Sequence, residues 1–150
     1  MNTCTVFNFQ FHTSLQMSEP EQAGLDAMSM HFPHDEDFQN TKFSVMFVLY
    51  PQMAKDAMQM SNEEFLEYAK VTFFASGGNA DKTNQRTILG NSVETQIINK
   101  IIPVAYMLEI GIVPLSNGDG VVLGFDKKEG FSHEDYEKTI IEITESLKEV

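Results

Sequence analysis

The sequence predicts an α+β domain, a mainly antiparallel sheet with two long helices packed on it, in the order β-β-β-α-β-β-β-α. Three observations carry this. Apolar residues alternate through several short segments, the period of half-buried strands. Capping signals at Ser61 and Ser132 each open an apolar stripe with helical spacing. The turn Ser116-Asn117-Gly118-Asp119-Gly120 lies between two apolar runs, where Asn-Gly and Asp-Gly readily supply the positive φ of a hairpin. Strands that meander around two helices, rather than alternate with them, favour α+β over a parallel sheet.

In chain order, Val6 to Phe11 reads as a first strand, with Phe7, Phe9 and Phe11 on one face. Ser18 to Gly24 reads as a loop, and Leu25 to Phe32 as a second strand with Met28, Met30 and Phe32 on one side. After a polar loop containing Pro33, the apolar run Phe43 to Tyr50 reads as a central strand. Ser61-Asn62-Glu63-Glu64 matches a capping box, and Phe65, Ala69 and Phe73 continue it as a helical stripe. Ser76-Gly77-Gly78-Asn79 ends that helix, glycine being the usual left-handed cap. Arg86 to Ile98, Val104 to Leu115 and Val121 to Phe125 supply three more strands. The last helix starts at Ser132 with Glu134 and Asp135 in its first turn, and runs to the end of the chain. Its stripe is Tyr136, Ile140, Ile143 and Leu147.

The 150 residues fit one domain, with no internal repeat or low-complexity tract, able to bury roughly 70% of the surface of its unfolded chain. Ten Lys and Arg against 22 Asp and Glu give a net charge of −12, which disfavours nucleic acid and anionic membrane surfaces. No Lys or Arg precedes Lys42, whereas Glu19, Glu21, Asp26, Asp35, Glu36 and Asp37 all do. The start of the chain has neither the basic region nor the apolar run of a signal peptide, and no apolar run suits a membrane span. As written the chain reads as cytoplasmic; with a leader removed, the same sequence would read as periplasmic or envelope.

Little of the sequence carries chemistry. Gly118 to Gly124 has the wrong glycine spacing for a dinucleotide fingerprint and leads into a strand. Gly77-Gly78 lacks the Lys-Ser/Thr of a phosphate loop. Cys4 is the only cysteine, which excludes an intramolecular disulfide, and it has no neighbour that would activate a thiol. His31, His34 and Asp35 form the one loop with metal-ligand chemistry, but Pro33 and the spacing exclude a helical His-Glu-x-x-His site. No cofactor is implied.

Nine methionines are the unusual feature, with Met46 in the third strand and Met53, Met58 and Met60 between it and the first helix. Methionine fills irregular cores, and it also makes adaptable apolar surfaces that accept helices or varied peptides. The segment from Pro51 to Met60 is poorly patterned for a buried helix, so Met53, Met58 and Met60 are the candidate partner-binding residues.

Thr87-Ile88-Leu89-Gly90-Asn91-Ser92-Val93-Glu94 resembles the Ile-x-Gly-x-x-(Ala/Val) strand of the PsbP/DcrB-like superfamily. There it is preceded by a helix like Ser61 to Ala75. It is followed by a strand, a Gly-Asp-Gly hairpin, an apolar return strand and a last helix ending in Ser-(Leu/Phe)-Lys. Here these are Tyr106 to Pro114, Gly118-Asp119-Gly120, Val121 to Phe125 and Ser146-Leu147-Lys148. The resemblance covers about residues 43–150; before it, Phe9-Gln10-Phe11-His12 lacks the Pro-x-x-Trp that ends the family's first strand.

The resemblance implies a curved antiparallel sheet backed by helices and used mostly for binding. Members include photosystem extrinsic subunits, a nuclear-transport GTPase-binding factor, bacterial lipoproteins and type VI secretion adaptor-chaperones that hold hydrophobic segments of cargo. The family has no shared catalytic motif to carry over. The expected function is therefore non-enzymatic protein binding, as an adaptor, chaperone or accessory subunit whose partner offers a hydrophobic helix. The alternatives are an exported or lipid-anchored envelope protein of the DcrB-like type, and a metal-dependent enzyme using the His31/His34 loop.

Overall fold

The computed structural model describes residues 1–101 and 105–150. Its described strands pair antiparallel throughout and are joined by three α-helices, so the α+β class and the antiparallel sheet stand. The order β-β-β-α-β-β-β-α does not. Two expected strands are hairpins, one expected loop is a strand, and a short helix precedes the first long one. Each departure has a local cause.

The alternation of Phe7, Phe9 and Phe11 conceals a reversal. Phe7 takes a positive φ of 54° in a turn between β1 (Asn2–Val6) and β2 (Phe9–Thr13), so only Phe9 and Phe11 share the buried face. Glu21–Gly24, expected as loop, is an edge strand, β3, whose exposed polar side chains show no alternation. It pairs with β4 (Ala27–Phe32), which pairs in turn with β5 (Phe43–Tyr50). Next comes α1 (Gln52–Met58), a helix that buries none of its residues and therefore carries no stripe to find.

The capping box of α2 (Asn62–Phe74) forms as expected: Ser61 Oγ accepts from the Glu64 amide, and the Glu64 carboxylate accepts from the Ser61 amide. Its left-handed cap is Ala75 (φ 50°), however, not a glycine. The expected strand Arg86 to Ile98 is a hairpin of β6 (Lys82–Ile88) and β7 (Asn91–Lys100). Leu89 (φ 52°) and Gly90 (φ 78°) make the consecutive positive φ values of a two-residue turn. In β8 (Tyr106–Pro114) the expected start, Val104, lies outside the described residues. The Asn117-Gly118 turn, with Gly118 at φ 91°, leads into β9 (Gly120–Lys128), so the glycine cluster opens a strand. The last helix, α3 (His133–Ser146), stops short of the chain end, and β10 (Lys148–Glu149) pairs with Gln10 and Phe9 of β2.

The large sheet has the order β3-β4-β5-β9-β8-β7-β6, and a small one the order β1-β2-β10. Strand alternation then sorts the large sheet's side chains onto two faces. One face, with Phe43, Val45, Phe47, Leu123 and Phe125, packs against the small sheet and the α3 stripe. Tyr136, Ile140 and Ile143 of that stripe are fully shielded from solvent, as their spacing predicts. Phe47 stacks on Phe11 at 6.1 Å between ring centres. The opposite face, with Val48, Tyr50, Leu108, Ile110 and Val122, packs under Phe65, Leu66 and Ala69 of α2. Among the described residues no helix is long and apolar enough to cross a membrane.

Candidate functional site

The methionine segment divides in the structure. Helix α1 is tethered at its first turn: the Gln52 amide donates to Asp119 Oδ1 (2.7 Å) and Lys55 Nζ to the Gly118 carbonyl (2.6 Å). Lys55 Nζ also lies 5.5 Å from the centre of the Tyr50 ring. The tether fixes a helix none of whose residues is fully buried, and Met53 stands 82% exposed on it. Met58 and Met60 turn the other way and pack half-buried against the core under α2, and Tyr50 Oη donates to the Met60 carbonyl (2.7 Å). The three candidate residues share one short segment, here the methionine ridge, on which Met53 is exposed while Met58 and Met60 are half-buried.

The metal-ligand loop is not assembled as a site. His31 Nε2 lies 2.9 Å from the Glu36 carbonyl, and the His31 amide donates to Ser18 Oγ (2.9 Å). His34 faces a 410 Å³ cleft shared with Cys4, and Asp35 is exposed. Among the described residues no three His, Cys, Asp or Glu side chains come together as a metal-holding group. Cys4 is buried, and that burial, with the Glu19 charge adding to it, pushes its thiol above the ordinary range. A thiol so held is a poor nucleophile at neutral pH.

Two acidic residues that sequence reasoning passed over are the strongest electrostatic features of the fold. Glu109 interrupts the apolar strand β8 and is 1% exposed. Its carboxylate accepts from Arg86 Nε (2.8 Å), Arg86 Nη2 (2.9 Å), Thr95 Oγ1 (2.6 Å) and Tyr136 Oη (2.8 Å). Arg86 reaches on to Glu137 of α3 with two more bonds, at 2.9 and 3.0 Å. Burial would raise the Glu109 carboxyl, but the hydrogen bonds and the Arg86 charge outweigh it and hold the group below its ordinary range. The Tyr136 hydroxyl is pushed well up by burial and by Glu109. The network fastens α3 to the sheet.

Asp126 is the opposite case. Among the described residues its Oδ1 is the buried side-chain oxygen without a hydrogen-bond partner. Burial lifts its carboxyl from 3.8 to about 6, with Lys128 pulling partly back. It lines a 120 Å³ cavity on the α2 face of the sheet, beneath Phe73, Phe74 and Tyr106. Glycine makes room for that roof: a Cβ on Gly124 would come within 2.2 Å of Phe74 Cε1. The signal was present in the sequence as an acid within the apolar run of β9, but nothing there shows which face it occupies.

No protein-family model matches the chain, and no curated protein matches it. Among solved structures it is similar to a point mutant of the protein Mog1, with a TM-score of 0.55 and 11% identity over 100% of this chain and 97% of that one. It is also similar to a protein of Bacteroides thetaiotaomicron, with a TM-score of 0.53 and 11% identity. That match covers 95% of this chain and 45% of that protein. At such identity the likeness is one of fold alone.

Proposed function

We propose that this is a non-enzymatic protein-binding domain, an adaptor, chaperone or accessory subunit, of PsbP/DcrB-like descent, whose partner lays a hydrophobic helix along the Met53–Met60 ridge. The observation that carries the reading is α1 itself. Its seven residues are held by contacts to the Gly118 hairpin, with Ala54 and Met58 only partly buried against the core and Met53 82% exposed. Ordering residues costs roughly 1–2 kcal/mol each in backbone entropy, so a tethered helix with so little of its surface buried suits a surface completed by a partner. Met53 offers a flexible, polarizable contact, and Met58 and Met60 flank it as a half-buried edge. The net charge of −12 keeps the chain soluble and repels anionic competitors.

The test is a photo-crosslinking residue introduced at position 53 and, as control, at Glu129 on the far end of the large sheet, both expressed in the native cell. The reading expects an adduct at position 53 that maps to an apolar helical segment of a partner. Met58→Ser should weaken that adduct, while raising salt should not, because apolar contact is little screened. Equal adduct yields at 53 and 129 would sink it.

A further inference from the structure

We propose that the cavity over Asp126 is a binding site for an alkylammonium group. This goes beyond the reading of the methionine ridge and does not rest on it. The cavity lies at the other end of the same sheet face, where α2 ends. Its roof is fixed from several sides: Lys70 Nζ donates to the Gly78 carbonyl (2.8 Å) and Lys100 Nζ to the Ala75 carbonyl (2.5 Å). Tyr106 Oη is 3.5 Å from Ser76 Oγ, which holds the third aromatic wall against the end of the helix. The site is therefore built before any ligand arrives.

The chemistry of the lining selects the ligand. Phe73, Phe74 and Tyr106 present rings, whose faces attract cations. Asp126 Oδ1 supplies an acceptor that no described residue uses, and Ser29 and Ser44 add hydroxyl oxygens nearby. An ammonium donates three hydrogen bonds from a compact head, which one free carboxylate oxygen and two hydroxyls can accept. A divalent metal would ask for more ligands than the described lining offers. The volume of 120 Å³ is about four times the ~30 Å³ share of a water molecule, room for the ammonium and a few methylenes. The charged and titratable neighbours are Lys128 on the same strand, Tyr106 and Lys100 in the next ladder row, and His31 across Ser44.

The same group occurs in free primary amines and at the end of a lysine side chain, and the experiment separates the two. Backbone-amide NMR of the whole chain at pH 7.5 is followed during titration with n-butylammonium, with 1-butanol, and with a capped tripeptide carrying a central lysine or its Nε-acetylated form. Saturable shifts at Gly124, Asp126 and Ala75 with n-butylammonium are expected, and binding of 1-butanol at least about tenfold weaker, the loss of one charge-assisted hydrogen bond. Asp126→Asn should weaken amine binding at least about tenfold, and Phe74→Leu, which keeps the carboxylate, several-fold. Tighter binding of the lysine peptide than of the free amine, lost on acetylation, assigns the site to a protein lysine. Binding of the free amine alone assigns it to a small molecule. The proposal is overturned if 1-butanol binds as well as the amine, or if Asp126→Asn leaves the titration unchanged. It is equally overturned if neither amine gives a saturable shift.

Discussion

Replacing Asp126 with Asn keeps the side chain's size and removes its charge, so the effect on stability should depend on pH with a definite sign. The carboxyl titrates near 3.8 when solvated and at about 6 in the fold, because burial disfavours the charged form more than Lys128 favours it. The native state therefore holds this proton more tightly than the unfolded chain does. Below pH 3.8 the group is neutral in both states and has no linkage cost. As pH rises from 3.8 toward 6, the unfolded chain ionises freely while the native one resists, and stability is lost until both are ionised. At 1.36 kcal/mol per pH unit the loss is on the order of 3 kcal/mol, trimmed to about 2–3 by the water that still reaches part of the residue. The Asn variant has no such proton. Urea denaturation of both proteins at pH 4, 5, 6 and 7 should show the variant gaining on wild type by about 2–3 kcal/mol across the series. The other charged groups are the same in both proteins, so the difference removes most of their contribution. A flat difference, or one that moves toward wild type as pH rises, would mean that the carboxylate is paired or well solvated, and the burial argument would fail.

Ile143→Ala in the α3 stripe should destabilise by about 2–4 kcal/mol, because the side chain is fully shielded and its neighbours cannot all relax; a loss below about 0.5 kcal/mol by urea denaturation would place the stripe on the surface. Arg86→Met should cost about 3–5 kcal/mol at neutral pH by leaving the Glu109 charge buried without its main partner. That cost should shrink in acid, since wild type loses the benefit of its low-titrating Glu109 as pH falls while the variant's Glu109 protonates earlier. Gly124→Ala should cost about 1–3 kcal/mol and displace the Phe74 ring, which chemical-shift changes at Phe74 would report, because the new methyl has no room at 2.2 Å.

Much of this architecture was legible because it follows from period and capping. The stripe of α3, the capping box at Ser61, the central strand Phe43–Tyr50 and the Gly118 hairpin all lie where residue type and spacing place them. The misses share a cause. Phe7, Leu89 and Ala75 adopt positive φ although their side chains disfavour it, so the reversals and the helix stop they make carry no local signature. Edge strand β3 and helix α1 bury too little to impose a pattern. The small sheet was invisible for another reason: its third strand comes from Lys148–Glu149, over 130 residues from β2, and no local signal reports so distant a pairing.

The same limit hid the buried Glu109 and the half-buried Asp126, and comparing them separates scaffold from site. In the β8–β9 ladder Leu108 pairs with Asp126 and Glu109 with Phe125, so the acids occupy adjacent rungs and point to opposite faces. On one face the fold answers the carboxylate with four donated hydrogen bonds from Arg86, Thr95 and Tyr136, drawn from three separate elements. On the other it leaves Oδ1 of Asp126 without a donor beneath a roof of aromatic rings, beside a cavity rather than a packed neighbour. A chain able to satisfy the first acid that fully gains nothing in stability from the second, since an uncharged side chain there would avoid the desolvation cost altogether. Glu109 is accounted for by the fold. For Asp126 no described residue supplies the donor that its buried Oδ1 lacks, which is the place the proposed ammonium would take.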